Sequence, residues 1–244
     1  MFIKTNAIVI NTLKYGDSSL IVTCYCEELG LKSFFAKGVL KSRKGSLRRS
    51  FFQPLNILSV VTNINQNGPQ KLLFFKEIKI VYPFQEIHLD INKNNIALFL
   101  SEVLKKILPE DGGINIKLYQ FIKNSILFLE RKTFSPVFHL KFLIELTRFL
   151  GFYPNLENMD YEFFDLENGR FSKIKNSINT INGKSLIEFK KIIVADFNQI
   201  SLISISNNSL ARILSNLLDY FRLHLQNFNN LKSHQIVNAL FQKS

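Results

Sequence analysis

The chain has 244 residues and carries 31 Lys and Arg against 19 Asp and Glu, a formal charge of +12 at neutral pH. With 46% hydrophobic and 20% charged residues it holds enough apolar material for one large or two small cores, which excludes a disordered or collagen-like chain. No apolar run reaches the ~20 residues of a bilayer-spanning helix, and the opening MFIKTNAIVINTLKYGD turns polar too soon for a signal peptide, so a folded cytoplasmic protein without membrane partners is expected.

Residues 3 to 81 read as five short β segments. IKTNAIVINTLKY, SLIVTCYCE and LKSFFAKG are separated by Gly16-Asp17 and Leu29-Gly30, and PLNILSVVTNI and KLLFFKEIKIV flank the turn Asn67-Gly68-Pro69. Five strands within about 80 residues predict a small closed barrel. Cys24 and Cys26 lie two apart in an alternating run, so they share a face and are not placed for an ordinary disulfide or a four-ligand zinc site. The doublets Phe34-Phe35, Phe51-Phe52 and Phe74-Phe75 should each send one ring inward and one outward, where it would stack on a base or pack against a second domain.

Charge is concentrated in this region. Residues 1 to 80 carry a net +8, against +2 for 81 to 150 and +2 for 151 to 244. Between Glu28 and Glu77 there is no carboxylate over 48 residues, which hold nine Lys or Arg. The densest part, KGVLKSRKGSLRRS, sets Lys37, Lys41, Arg43, Lys44, Arg48 and Arg49 among Gly and Ser, the composition of a solvated loop. Lys and Arg on a Gly/Ser frame can follow a phosphate backbone without demanding a base sequence, so a polyanion site is expected here.

From residue 91 the period turns helical. Ile96, Phe99, Leu100, Val103, Leu104, Ile107 and Leu108 keep i, i+3, i+4, i+7 spacing until Pro109 and Gly112-Gly113. A second run covers Leu118 to Leu129, and Ser135-Pro136 reads as the N-cap and first residue of a third helix that Gly151 and Pro154 end. Residues 152 to 183 mix aromatic, acidic and turn residues and read as an irregular excursion with one hairpin. Helical spacing returns at SLIEFKKIIVAD, again from Leu210 to Leu225, and in a last stretch through Ile236 and Leu240.

A search for catalytic chemistry finds none. His88, His139, His224 and His234 are scattered, without ligand spacing, and are expected at the surface or its boundary. No phosphate-binding glycine loop or nucleophile elbow is present, and Glu27-Glu28 and Glu110-Asp111 sit beside turns, where carboxylates are ordinarily solvated.

The residues themselves resemble the bacterial RecO DNA-repair family over nearly the whole chain. AIVINTLKYGDSSLIVTCYCEELGLKSFFAKG, with its Tyr15-Gly16-Asp17-Ser18 turn, Glu28-Leu29-Gly30 and closing Ala36-Lys37-Gly38, is similar to that family's first barrel strands in order and spacing. The basic loop and Gln53-Pro54 follow, then Phe142-Leu143-Ile144-Glu145-Leu146 leading to Leu150-Gly151-Phe152 and Pro154, then Phe164-Asp165-Leu166 with Gly169 and Phe171, and finally His224 with Leu231-Lys232-Ser233.

The resemblance implies an α+β chain: an N-terminal OB-fold, a five-stranded antiparallel Greek-key barrel, over residues 1–82, and a mainly α-helical C-terminal domain over 83–244. It implies an ATP-independent mediator, not an enzyme, that binds single- and double-stranded DNA and anneals complementary strands. Its implied partners are RecR, the acidic C-terminal tail of the single-stranded DNA-binding protein SSB, and RecA loaded on coated DNA. Many relatives carry a four-cysteine zinc module at the position of residues 152–183; cysteines are absent here, so no metal is expected, with Tyr161, Phe163, Phe164 and Phe171 packing in its place. DNA contact is carried over onto Lys37, Lys41, Arg43, Lys44, Arg48 and Arg49, and acceptance of an acidic tail onto Lys141 and Lys232. The alternatives are an RNA-binding OB module and, further off, a metal-dependent enzyme acting on nucleic acid.

Overall fold

In the computed structural model, which describes residues 1–41, 48–64, 72–109, 112–175, 178–229, 231–235 and 237, the chain forms two compact units, Met1–Arg131 and Lys132–Ser244. The first begins with β1 (Phe2–Tyr15), β2 (Ser19–Cys26), β3 (Gly30–Ala36), β4 (Ile57–Asn63) and β5 (Leu73–Ile80), closed into a barrel in the order β1-β2-β3-β5-β4. Four of the five seams are antiparallel, and β3 pairs with β5 in parallel. The expected all-antiparallel barrel is thereby corrected to a mixed one. An odd number of strands cannot close into a ring with every neighbour reversed, so one parallel seam is obligatory.

Strand alternation fills the barrel with Ala7, Val9, Val22, Cys24, Phe34, Leu58 and Val60. The opposite face of β1 is also dry at Ile8 and Ile10, because α2 (Ile91–Ile107) lies over it and the Ser101 hydroxyl donates to the Ile10 carbonyl. Cys24 and Cys26 are buried free thiols, and burial pushes both above the ordinary thiol range, so they behave as core residues.

Two carboxylates organise the helices that follow the barrel. Asp90 caps α2 by accepting from the amides of Asn92 (2.7 Å) and Lys93 (3.0 Å). Glu130, at the end of α3 (Ile116–Arg131), accepts from the amides of Gln85, Glu86 and Ile87 and so seats the short α1 (Glu86–Leu89). Burial pushes the Glu130 carboxyl up, but the three amide donors and the Lys93 ammonium outweigh it and hold the group below the usual carboxylate range. At the β2-β3 turn, Gly30 has φ +66°, and a Cβ there would stand 2.3 Å from the Gly113 carbonyl oxygen, so both backbone and space demand glycine.

The second unit contains α4 (Phe138–Leu150), α5 (Gly183–Val194) and α6 (Asn207–His224), with a small sheet β7-β6-β8 made of β6 (Phe163–Asp165), β7 (Arg170–Ser172) and β8 (Thr180–Asn182). The excursion therefore holds three strands, not one hairpin. Phe164 is fully buried, with its ring 5.1 Å from Phe171, 5.1 Å from Phe189 on α5 and 5.9 Å from Tyr220 on α6. The Tyr220 hydroxyl donates to the Phe152 carbonyl at 2.6 Å, which ties α6 to the chain leaving α4.

Two further expectations shift in this unit. The N-cap position of α4 is Val137 and not Ser135, whose hydroxyl donates to the Ile200 carbonyl and accepts from the Val137 amide just ahead of the helix. His139, expected near the surface, is fully buried, because α4 is covered on nearly every side. Gly151 ends the helix as read, in the left-handed conformation that only glycine adopts freely. Of the last expected helical stretch, residues 233–235 and 237 are helical, while Ile236 and Leu240 lie outside the described residues.

Candidate nucleic-acid interface

Both stems of the basic loop are pinned to the barrel. On the entry side, the Leu40 amide donates to the Ser18 carbonyl and the Gly38 amide to the Ser19 hydroxyl, while Val39 is buried. On the exit side, Arg49–Phe52 forms a 3₁₀ turn whose Ser50 and Phe51 carbonyls accept from the Asn56 side-chain amide (2.9 and 3.1 Å). Leu55, fully buried, holds φ +64° while its amide donates to the Val9 carbonyl at 2.8 Å. A non-glycine residue in that conformation costs on the order of 1 kcal/mol, which the surrounding packing sustains.

Lys37, Lys41, Arg48 and Arg49 are exposed on these stems; Arg43 and Lys44 lie outside the described residues. A groove beside the loop is lined by Lys14 and Arg49 together with Phe52, Gln53 and Pro54, and Asp17 is its one carboxylate among the described residues. Lys14 was missed in the sequence because it sits in a strand, outside the basic run.

The Phe doublets sort by local geometry. On strands β3 and β5, Phe34 and Phe75 stack 4.6 Å apart on the inner side, while Phe35 and Phe74 turn outward. Phe51 and Phe52 instead occupy the 3₁₀ turn, where strand alternation does not apply, and both pack against the barrel core. Outside, the cross-strand register aligns Leu13, Ile21, Phe35 and Phe74 in one row over β1, β2, β3 and β5. Tyr15 meets Phe35 edge-on at 5.6 Å, and Phe35 meets Phe74 edge-on at 5.8 Å.

The two lysines singled out in the helical region have different surroundings. Lys232 is exposed. Lys141 is buried, its ammonium donating to Glu145 at 2.7 Å and to the Ile193 carbonyl at 3.1 Å. Glu145 also accepts from Arg148 at 2.6 Å; burial pushes its carboxyl up, and the two cations outweigh that and hold it below the ordinary range. The Lys141 charge is thus committed inside the unit and is not presented to an acidic peptide.

The residues of the excursion do not suit a four-cysteine zinc module. Its segment contains no cysteine or histidine, and among the described residues no group of three or more His, Cys, Asp or Glu side chains converges. Asp165, its buried carboxylate, is used by the amides of Glu167 and Asn168 and the Asn168 side chain to close the β6-β7 turn.

Comparison with known proteins accounts for nearly the full length. The family model for the Recombination protein O N terminal domain matches residues 1–84, and that for the Recombination protein O C terminal domain matches residues 88–235. That division falls at the start of α1, whereas packing groups the barrel with α1 to α3 up to Arg131. The DNA repair protein RecO of Christiangramia forsetii is 36% identical over 241 residues, covering 99% of this chain and 100% of the relative. Those of Flavobacterium psychrophilum and Bacteroides fragilis are each 34% identical, with the same coverage. With both domain models in order and relatives aligned end to end, the chain belongs to the RecO family of DNA repair proteins.

Proposed function

We propose that this protein is a recombination mediator of DNA repair that binds single- and double-stranded DNA, anneals complementary strands and, with RecR, helps load RecA on SSB-coated DNA. The observation that carries the reading is the carboxylate-free basic segment whose two stems are fixed to an OB-like barrel. Cations held on fixed stems neutralise phosphates and lower the repulsion between two strands, while leaving base edges free to pair. Binding and annealing of this kind need neither ATP nor a catalytic residue.

Contact through Lys37, Lys41, Arg43, Lys44, Arg48 and Arg49 would neutralise six phosphates, giving a log-log salt slope of about −4 on single strands. The acidic SSB tail remains assigned to the helical domain, with Lys232 as the exposed cation of the pair considered. We infer a cytoplasmic protein that uses no zinc, because aromatic packing around Phe164 already fills the centre of the excursion.

The test is annealing of complementary oligonucleotides coated with SSB, comparing the wild type with a variant in which Arg43, Lys44, Arg48 and Arg49 are changed to Glu. Circular dichroism checks that both are folded. Loss of annealing in the folded variant is expected. Absence of annealing in the wild type would remove that activity from the reading, and equal activity in both would move the DNA surface away from the loop.

A further inference from the structure

The outer surface of the barrel changes character along its strands. At one end it is closed by helices: Ile8 and Ile10 lie under α2, and Tyr25 is buried, its ring 6.3 Å from Tyr119 on α3. Next comes a polar row, Asn11, Thr23 and Ser33, in which the Thr23 and Ser33 hydroxyls meet at 3.4 Å. Beyond it, at the open end, stands the row Leu13, Ile21, Phe35 and Phe74 with Tyr15 at its margin. Leu13 is 60%, Tyr15 57% and Phe74 63% exposed, an unusual concentration of uncovered apolar surface on one sheet face.

We propose that this row is a stacking platform for the bases of single-stranded DNA. The inference rests on the DNA-binding reading above and names the side chains that would distinguish single strands from duplex. The occupant follows from the charge around the row. Lys37 lies two residues after Phe35 and Lys76 two after Phe74; both are exposed, and no carboxylate occurs from residue 29 to 76. An apolar strip edged by cations fits a ligand with flat hydrophobic faces and a phosphate margin, which an unpaired strand offers and a stacked duplex withholds.

The dimensions agree. Four adjacent strands about 4.8 Å apart make a row of about 14 Å, the length of about four nucleotides at ~3.4 Å each and the lower end of the site size of an OB fold. The near-perpendicular packing of Phe35 against Tyr15 and Phe74 braces the two outer rings, each of which keeps more than half of its surface exposed.

The chain contains no tryptophan, which makes a direct probe available. In Phe74→Trp the new indole is the sole such fluorophore, and its emission should be quenched by oligothymidine but not by an abasic phosphodiester of equal length or by duplex. The double variant Tyr15→Ala/Phe74→Ala should lose at least ~5-fold in affinity for oligothymidine per stacked base. Its duplex affinity and salt slope should stay at wild-type values. Both side chains are largely exposed, and a thermal midpoint equal to wild type confirms folding.

Equal oligothymidine binding by wild type and double variant, or equal losses on single strand and duplex, would overturn the platform while leaving DNA binding intact. A wild-type dimer in sedimentation that dissociates in the double variant would also overturn it, by giving the row to a second copy of the chain. Wild-type protein that binds neither polynucleotide would overturn the DNA-binding reading, and the platform with it.

Discussion

Replacing Phe164 by Ala deletes a ring with no solvent exposure from the point where β7, α5 and α6 meet β6. Truncating a buried Phe costs about 3–5 kcal/mol through lost transfer energy and the cavity left behind. The upper part of that range applies, because Phe171, Phe189 and Tyr220 approach from separate elements and cannot all collapse into one void. With an unfolding entropy of about 2.1 cal/mol/K per residue over a unit of roughly 110 residues, a loss of ~4 kcal/mol lowers the thermal midpoint by about 17 °C. Phe164→Leu keeps most of the volume and should cost no more than about 1.5 kcal/mol. Urea titrations followed by circular dichroism, with and without a zinc chelator, measure both. A loss below ~1 kcal/mol for Phe164→Ala would refute the idea that this packing holds the excursion, and so would a wild-type midpoint that drops on chelation.

Two other outcomes follow from buried charge in α4. Glu145→Gln leaves the Lys141 ammonium, on a side chain only 5% exposed, without its counter-ion, and should destabilise the protein by about 3–5 kcal/mol in urea titration. The double change Lys141→Met/Glu145→Gln should recover most of that loss, and failure to recover would show that the carboxylate acts through some other contact. His139 gives a pH dependence: burial pushes it down to about 3, opposed by a hydrogen bond to the Pro136 backbone, so the folded state resists a proton that the unfolded chain takes up near pH 6.5. Stability should therefore decline by up to about 1.4 kcal/mol per pH unit as the pH falls from 6.5 towards 3, and His139→Gln should flatten that part of the profile. An unchanged profile in the variant would assign the acid sensitivity to other groups.

The barrel strands were legible because a period of two interrupted by Gly16, Gly30 and polar turns has few other readings, and their number alone already required one parallel seam. The order of motifs from Tyr15-Gly16-Asp17 to Leu150-Gly151-Phe152 carried the family. What lay hidden depended on contacts between distant residues. Nothing local marks Glu130 as the acceptor for three amides more than forty residues earlier. Lys141 looked like an ordinary helical lysine; only the Glu145 spacing at i+4 hinted at a pair, and its burial follows from a helix covered on almost all sides. Leu13 and the outward ring of Phe74 became part of one surface only when register aligned four strands, since a row across a sheet has no signature along the chain.

The pairing of β1 with β4 also has a consequence in time. Phe2 stands opposite Asn63 and Ile8 opposite Ile57, so the first barrel strand cannot complete its hydrogen-bonding until some sixty residues have followed it from the ribosome. Until then β1 can form the hairpin with β2 but presents an open edge of apolar side chains, the arrangement through which nascent chains pair wrongly with one another. The helix that later covers Ile8 and Ile10 arrives later still. At synthesis rates of about 5–20 residues per second, this edge stays unpaired for about 3 to 12 seconds, and chaperones that shield it in that interval should raise the yield of folded protein more than any that act after residue 107 has emerged.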